Sequence, residues 1–385
     1  MVTQLKRSTL KVLLAASSYF GTVGAFPVLT KTLWFDTDPI NPKFLTSKGT
    51  LSHVQTVDLQ PASPRRNTQM IFSSLRSLLV ATNGSEVLAV SQDGSFVTMP
   101  LSSSTSSELP IDVKTARVDL MRDVNGNEIR PRNPNGNAEG LTINGVYEGG
   151  GRGELFVNYA NTGCVMKFSD GVLSRRAEDL CEQRVPQKCE ENGGIKSILK
   201  LRSTEVDDLL LIACEEPEET SVESGHMTFS VSAHDMKSGE DKQFYVQSQN
   251  SYFPMDMAEL PNGDILILFH RSNPADSAGI YIGLVTSESL DEAILNEGVL
   301  VPESITGNLA EIKYYVHNTS GITVREDTET GKIFVYILGN YMELHIRYWD
   351  RVLYPIQAVT IALVEAAFGG KYDNLNITAV DNRRL

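Results

Sequence analysis

Short apolar runs bounded by turn residues recur along the whole chain. Clear examples are EVLAVS, GELFVNYA, DLLLIACEE, GDILILFHR, GIYIGLV and KIFVYIL, each flanked by Gly, Asn, Asp or Pro. Runs of this length, rich in Val, Ile and Leu, are typical of β-strands. The clearest amphipathic helix is the short segment SLDEAILNEG. The pattern therefore predicts an all-β fold.

Five of these runs belong to similar units, in which a Gly or Ser beside an apolar pair is followed by a turn and another apolar run. The units begin near residues 72, 137, 192, 253 and 319. Intervals of about 50 to 65 residues match a propeller blade with insertions. Counting the N-terminal segment, we predict a β-propeller of about six blades, within a range of about five to seven. A tandem β-sandwich is the alternative fold.

Two segments lie outside the repeated pattern. The region from Phe26 to Gln69 contains prolines and is hard to assign. It is a candidate for the outer strand that closes the ring with C-terminal sequence. Beyond Asn340 the pattern decays, so the tail 341–385 receives no assigned structure.

The N-terminus has the pattern of a secretion signal. Basic residues precede the apolar stretch VLLAASSYFGTVGA, and small residues end it at Ala25. This predicts a signal peptide over 1–25 and one secreted domain over 26–385. The flanking charges argue against the alternative, a buried N-terminal helix, and no other apolar run is long enough to span a bilayer. Three sequons are candidate glycosylation sites in a secreted protein: Asn83, Asn318 and Asn376.

The charge balance limits the partners. The chain carries 48 acidic and 34 basic side chains, a formal net charge of −14. Such a surface disfavours nucleic acid and anionic membranes, which bind through clustered Lys and Arg. It tolerates cations, and Ca²⁺ prefers oxygen ligands, so Ca²⁺ is the candidate cofactor.

The four cysteines predict two disulfides. They are Cys164, Cys181, Cys189 and Cys214. An even number in a secreted chain, with no CxxC pair, favours disulfides over a metal site. Of three connectivities, we favour Cys181–Cys189 closing a polar loop and Cys164–Cys214 joining neighbouring strands.

Four segments, in the right order, resemble motifs of the phytase-like family, also described as proteins with esterase-like activity of phytase. They are DVNGNEIRPRNPNGNAEGLTI, ENGGIKSILKL with LLLIACEE, SYFPMDMAELPNGDILILFHRS, and YYVHNTSGITVREDTETGKIFVYILGN. The resemblance is strongest over 70–340. It implies a secreted β-propeller that hydrolyses an ester or a phosphoester.

The resemblance assigns functional positions, and several of them are substituted. The retained acids are Glu139, Glu215 and Asp256, with Asp93 as a further candidate and Arg271 as the basic partner. Acids of the family pattern are replaced at Lys196, His270, His317 and Ser320, and the family's SDDN has become Leu338-Gly339-Asn340. A family-type carboxylate cluster is therefore weakened.

Each retained residue has a functional and a structural interpretation. Glu139, beside Gly140, is the first candidate for a catalytic acid or base at the channel mouth, or for a Ca²⁺ ligand with Glu215. Its structural alternative is to accept backbone N–H groups at the strand entrance. Asp256 is catalytic or caps a turn, and Glu215 binds metal or begins a solvated acidic turn. Arg271 binds an anionic group of the substrate or bridges to Asp256.

Two functions follow from these observations. The leading hypothesis is a secreted monomer that hydrolyses a small ester or phosphoester at the channel mouth, with metal assistance. The rival is a non-catalytic propeller that binds a ligand, a glycan or a protein. His270 and His317 suit a metal or general-base role, although two histidines alone are more often structural. No GxSxG, HExxH or P-loop motif supports another hydrolase mechanism.

Overall fold

The computed structural model describes residues 22–32, 43–46, 49–62, 72, 74–101, 111–129, 137–160, 163–180, 189, 194–202, 208–220, 225–248, 252–271, 279–305, 319–345 and 354–368. Strands dominate this part of the chain. The N-terminal strands are β1 (Thr22–Thr32), β2 (Lys43–Thr46) and β3 (Gly49–Pro61). The remaining strands form antiparallel sheets arranged as blades.

The blades follow one another along the chain. Blade 1 contains β4 (Leu75–Val80), β5 (Glu86–Ser91), β6 (Ser95–Pro100) and β7 (Thr115–Leu120). Blade 2 contains β8 (Ala138–Ile143), β9 (Leu155–Tyr159), β10 (Cys164–Phe168), a 3-10 turn (Gly171–Leu173) and β11 (Glu178–Asp179). Blade 3 contains β12 (Ile195–Lys200), β13 (Leu209–Cys214), β14 (Glu219–Thr220), β15 (Met227–Asp235) and β16 (Asp241–Ser248). Blade 4 contains β17 (Tyr252–Glu259), β18 (Ile265–Arg271) and β19 (Ile280–Val285).

The last elements complete blades 3 and 4 and form blade 5. They are α1 (Ser287–Asn296), β20 (Val299–Leu300), β21 (Glu303–Ser304), β22 (Thr319–Glu326), β23 (Ile333–His345) and β24 (Tyr354–Phe368). Strand β20 pairs with β16 and β21 pairs with β19, whereas β22, β23 and β24 form blade 5 with β3. The helix α1 coincides with the predicted SLDEAILNEG segment, and Thr286 caps it by accepting a hydrogen bond from the Ser289 N–H at 3.2 Å.

Five inner strands surround one axis. Strands β4, β8, β12, β17 and β22 each lie at the inner edge of a blade, and each contacts the next until β22 meets β4. The five predicted repeat units begin within a few residues of these strands. The all-β propeller is therefore confirmed. The predicted number of about six blades stays a prediction.

The N-terminal strands close the ring. Strand β3 pairs with β24 and so becomes the outermost strand of blade 5, as expected for the Phe26–Gln69 segment. Strand β1 pairs on one side with β3 and on the other with β7 of blade 1. Blades 1 and 5 consequently share one continuous sheet. The tail beyond Asn340, to which the sequence assigned no structure, contributes the end of β23 and all of β24.

The core consists of layers between neighbouring blades. One hydrophobic cluster fills each interface, from blades 1 and 2 round to blades 5 and 1. Strand β13 shows how: Leu210 and Ile212 face blade 2, while Leu211 and Ala213 face blade 4. Because both faces of a blade are buried, its strands are continuously apolar rather than alternating. This explains the unbroken apolar runs in the sequence.

The structure corrects the predicted disulfide pairing. Cys189 is bonded to Cys214, so neither Cys181–Cys189 nor Cys164–Cys214 is right. Cys164 is also disulfide-bonded, and Cys181 lies outside the described residues. The pairing follows from the fold, because Cys214 ends β13 opposite Ile195, where the chain arriving from Cys189 enters β12.

Other N-terminal and surface predictions are only partly covered. Residues 1–21 of the predicted signal peptide lie outside the described part, and β1 begins at Thr22, upstream of the predicted cleavage point after Ala25. Among the candidate glycosylation sites, Asn83 is exposed in the turn between β4 and β5. Asn318 and Asn376 are not among the described residues. No helix in the described ranges is both long and apolar enough to cross a membrane.

Candidate functional site

Every inner strand contains a β-bulge near its start. The strand register shifts at one equivalent position in each blade, around Arg76, Glu139, Lys196, Met255 and Ser320. We call these five residues the bulge ring. The residues that follow them are Ser77, Gly140, Ser197, Asp256 and Gly321, which we call the axial layer. A bulge changes the direction of the side chains beside it, so the bulge ring and the axial layer lie in different surroundings.

Asp256 occupies the centre of the axial layer. Its side chain is 1% exposed and joins blade 4 to three other inner strands. Oδ2 accepts hydrogen bonds from Ser77 Oγ at 2.8 Å and from the Ile322 N–H at 3.0 Å. Oδ1 accepts from the Met257 N–H at 3.0 Å and from Ser197 Oγ at 3.2 Å. Asp256 therefore links blades 1, 3, 4 and 5 at the axis.

Burial and hydrogen bonding act on this carboxyl in opposite directions. Burial raises the pKa of Asp256 to about 7, although the four hydrogen bonds favour the carboxylate. The predicted catalytic role requires access to substrate, which a residue at the closed centre of the axial layer lacks. The structure favours a structural acid, and its role is to bind strands rather than to cap a turn.

The titration of Asp256 has a measurable consequence. Folded Asp256 keeps its proton up to about pH 7, whereas the group's usual value is 3.8. Between these values the native state binds more protons, so the contribution of Asp256 to stability falls as pH rises. We expect the difference in unfolding free energy between the protein and Asp256→Asn to narrow by up to about 1.4 kcal/mol per pH unit across this window. Urea unfolding from pH 4 to pH 8 measures it, and a constant difference would contradict the prediction.

The two glycines of the axial layer are required by close packing. A Cβ on Gly140 would lie 3.2 Å from the Ile198 N and closer still to Asn158 Oδ1. A Cβ on Gly321 would lie 2.9 Å from the carbonyl oxygen of Arg76. Gly140 thus permits the approach of a neighbouring strand, which explains why it follows Glu139 in the sequence.

The bulge ring brings opposite charges together. Glu139 is 7% exposed, and its Oε2 lies 3.4 Å from Lys196 Nζ and 3.7 Å from Arg76 Nε. Its Oε1 accepts a hydrogen bond from Gln92 Nε2 at 3.2 Å. Lys196 Nζ also lies 3.2 Å from Glu215 Oε1. Glu139 is therefore neutralised by side chains of blades 1 and 3 rather than by backbone N–H groups.

Lys196 lies where the predicted metal ion would bind. Its ammonium group lies between the two proposed ligands, Glu139 and Glu215. The described part of the chain contains no group of three or more His, Cys, Asp or Glu side chains arranged for a metal. The donor set at this position thus consists of two carboxylates already paired with a cation.

Replacing this cation tests the metal hypothesis. Lys196→Glu is expected to lower the unfolding free energy in calcium-free buffer by about 2 kcal/mol, because it removes the cation shared by Glu139 and Glu215 and adds a third carboxylate beside them. Millimolar Ca²⁺ is expected to restore stability to the variant and to leave the wild-type protein unchanged. Thermal unfolding with EDTA or Ca²⁺ measures both effects. Lys242→Glu, an exposed position, is the matched control, and stabilisation of the wild type by Ca²⁺ would contradict the expectation.

Arg271 is separated from Asp256. It ends β18 opposite Tyr252, and its guanidinium carbon lies 5.9 Å from the centroid of that ring. The alternative in which Arg271 bridges to Asp256 is wrong, because the partners of Asp256 are serine hydroxyls and backbone N–H groups. The predicted catalytic residues Glu139, Asp256 and Arg271 therefore lie in three different surroundings.

Three other candidate positions lie among the described residues: His270, Ser320 and Asp93. Burial lowers the pKa of His270, and the charge of Lys196 lowers it further, so this imidazole is neutral at pH 7. Ser320 Oγ donates a hydrogen bond to the Leu75 carbonyl oxygen at 3.2 Å. Asp93 lies in the turn between β5 and β6, where its N–H donates to Ser91 Oγ. His317 lies outside the described residues.

A central cavity opens on the other side of the axial layer. It has a volume of about 580 Å³ and is lined by the C-terminal halves of all five inner strands. Its inner wall includes Leu78, Leu141, Met257 and Ile322, and its wider part includes Thr142, Lys200, Arg202, Glu259, Thr323 and Arg325. Glu139, Glu215, Asp256 and Arg271 are absent from this lining.

Two sets of residues at the site lie outside the predicted functional positions. Arg76, which pairs with Glu139, and Gln92, which donates a hydrogen bond to it, belong to blade 1, where no family motif was recognised. An alignment of the repeats on Ser77, Gly140 and Ser197 places Arg76 level with Glu139 and Lys196. The position of Arg76 at the site could therefore have been predicted from the sequence. The cavity lining consists of ordinary strand residues and left no comparable signal.

The ring of inner strands and the blades around it define the protein as a β-propeller. No protein-family model matches the chain, and no curated protein matches it. The resemblance to the phytase-like family therefore stays a prediction.

The solved structures that match this chain have low sequence identity to it. Hydrazine synthase of Kuenenia stuttgartiensis is 12% identical, with 75% of this chain and 63% of that chain covered and a TM-score of 0.34. The tail fiber of Staphylococcus aureus phage P68 is 11% identical, with 84% and 54% covered and a TM-score of 0.38. The structure of U3-55K is 9% identical, with 75% and 95% covered and a TM-score of 0.31. This chain spans less than two thirds of the first two proteins.

Proposed function

We propose that this protein is a secreted, non-catalytic β-propeller that binds a small ligand in the central cavity. The observation that carries the proposal is that all five inner strands line one cavity of about 580 Å³. Cavities of about 300 to 1,000 Å³ with mixed apolar and polar walls are typical ligand sites. The disulfide between Cys189 and Cys214 supports secretion, because such bonds persist in oxidising compartments.

The surroundings of the acids support binding over hydrolysis. A general acid or base must reach the reacting atoms within hydrogen-bond distance. Glu139 is engaged by Gln92, Lys196 and Arg76, and Asp256 is enclosed by four hydrogen-bond donors. Neither carboxyl lines the cavity. The alternative, ester or phosphoester hydrolysis at Glu139, rests on the family resemblance.

A neutral fluorescent dye tests the proposed site. Nile red, which brightens in apolar surroundings, is expected to bind the purified protein saturably with one site per chain. Val324→Trp places a large side chain in the lining and is expected to weaken binding at least about tenfold, since it fills space that the dye needs. Leu295→Trp is the control, because Leu295 is 74% exposed and lies outside the lining. Equal affinities in the two variants would overturn the site.

Turnover assays test the alternative on the same samples. 4-Nitrophenyl acetate and 4-nitrophenyl phosphate are expected to be hydrolysed no faster with the protein than in buffer. Glu139→Gln keeps the size of the side chain while it removes the charge. Hydrolysis that is present in the protein and lost in Glu139→Gln would overturn the non-catalytic proposal and support the hydrolase.

A further inference from the structure

The lining of the central cavity is apolar next to the axial layer and becomes mixed apolar and polar further along the strands. The residues directly after the axial layer that line the cavity are Leu78, Leu141, Met257 and Ile322. One residue further along, Thr142 and Thr323 occupy equivalent positions in blades 2 and 5, and Leu79, Leu199 and Ala258 occupy them in the other three blades. The first charged side chains, Lys200 and Glu259, follow one residue later, beside the apolar Val80, Ile143 and Val324. A ligand that matches this gradient has an apolar part at the inner end and a polar part towards the opening.

The two threonines offer hydrogen bonds to such a ligand. Thr142 Oγ1 accepts a hydrogen bond from the Lys200 N–H at 2.9 Å, and its own proton has no acceptor among the described residues. Thr323 also lines the cavity, and its hydroxyl has no partner in the described ranges. Both side chains are largely buried. A hydroxyl or carbonyl group of a ligand would satisfy them.

The cations of the cavity are already neutralised by the protein. Lys200 Nζ lies 2.5 Å from Asp208 Oδ1. The Arg202 N–H donates to Glu259 Oε2 at 2.9 Å, and the Arg202 Nε lies 3.8 Å from the same oxygen. An anionic ligand would have to compete with these carboxylates, and it would lose its own hydration on entering.

Arg325 is held in the same way from blade 5. Its Nη1 donates to Asp327 Oδ2 at 3.3 Å, its Nε donates to Tyr336 Oη at 3.3 Å, and its guanidinium carbon lies 4.7 Å from the centroid of the Phe334 ring. Among the charged residues of the lining, Glu148 and Glu326 have no ion-pair partner in the described part of the chain. Both side chains are exposed. They repel an anion and attract a cation only weakly, because solvent screens them.

We infer that the cavity selects a neutral amphiphile: a short aliphatic chain that carries an uncharged, hydroxyl- or carbonyl-bearing head group. The inference rests on the proposed function and adds the chemical class of the ligand. The aliphatic chain packs on Leu78, Leu141, Met257 and Ile322, and the head group bonds to Thr142 and Thr323. The charged side chains around the head group are already paired with each other. They would therefore not compensate a charged head group for the hydration that it loses on binding.

Three probes with the same eight-carbon chain test the class: n-octyl β-glucoside, octanoate and octyltrimethylammonium. Calorimetric titration below their micelle-forming concentrations is expected to give the octyl glucoside at least about tenfold tighter binding than either ion. The double variant Thr142→Val and Thr323→Val is expected to weaken octyl glucoside binding about threefold to tenfold. Thr98→Val is the matched control, since Thr98 is a buried threonine of blade 1 outside the lining.

The outcomes separate this inference from the proposed function. Tighter binding of octanoate or of the ammonium compound overturns the neutral class, and so does Nile red binding without any binding of octyl glucoside. An unchanged affinity in the double threonine variant overturns the assigned head-group contacts. Failure of Nile red and of all three probes to bind overturns the cavity site together with the class.

Discussion

Asp256→Asn is expected to lower the free energy of unfolding by about 3 kcal/mol at pH 5. Each carboxyl oxygen of Asp256 faces one backbone N–H, from Met257 or Ile322, and one serine hydroxyl. At pH 5 the carboxyl group is protonated, but its hydroxyl oxygen can still accept a hydrogen bond, whereas the NH₂ that replaces one oxygen in asparagine can only donate. A hydroxyl can rotate to accept, but a backbone N–H cannot, so one buried donor is left facing another.

Chemical denaturation of the full chain measures this loss. Asp291→Asn is a suitable control, because Asp291 is an exposed residue of α1. Ser77→Ala separates the two kinds of donor: it removes one hydroxyl and leaves both backbone bonds, and we expect a loss of about 1 kcal/mol. A loss of unfolding free energy below about 1 kcal/mol for Asp256→Asn would show that the stability of the axial layer does not depend on the Asp256 carboxyl group.

Removal of the Cys189–Cys214 disulfide is the second large effect. The bond joins positions separated by 25 residues, and both cysteines are fully buried. Closing a loop of this length restricts the unfolded chain and contributes about 3 kcal/mol. The double variant Cys189→Ala and Cys214→Ala avoids leaving a free thiol and is expected to lose about that amount, measured by urea unfolding.

The position of this disulfide makes the result specific. It ties the chain before β12 to the end of β13, next to Lys196 and Glu215 of the charged cluster. Ser248→Ala provides a comparison, because it removes a buried hydrogen bond of the same blade without changing chain connectivity. A double cysteine variant no less stable than Ser248→Ala would contradict a substantial contribution from the loop.

The blade repeats were predictable because each strand is buried on both faces. Residues such as Leu210 and Leu211 belong to different interfaces, so the sequence shows an unbroken apolar run that marks each blade. The helix α1 was predictable from its buried stripe, which includes Leu290, Ala293 and Ile294. The disulfide pairing was not, because four cysteines allow three connectivities and only the placement of β12 beside β13 selects one.

The sequence predicted where the candidate site lies but not which groups its acidic side chains contact. The sequence predicted that Glu139 lies near the axis. Its ion pairs with Arg76 of blade 1 and Lys196 of blade 3 agree with that position. It also placed Asp256 among the acids without revealing that Ser77 and Ser197, distant in sequence, enclose it. Contacts between blades decide whether an acidic side chain lies against solvent, a metal ion or a serine hydroxyl. Repeat spacing alone does not contain that information.

The closure of the ring has a consequence for biosynthesis. Leu59 pairs with Val359, a separation of 359 − 59 = 300 residues. During translation β3 therefore emerges long before its partner β24 and waits with an unpaired edge. Contacts this distant in sequence form slowly, and exposed strand edges invite pairing with other chains. The N-terminal strands are thus the part of a nascent propeller most in need of protection by a chaperone.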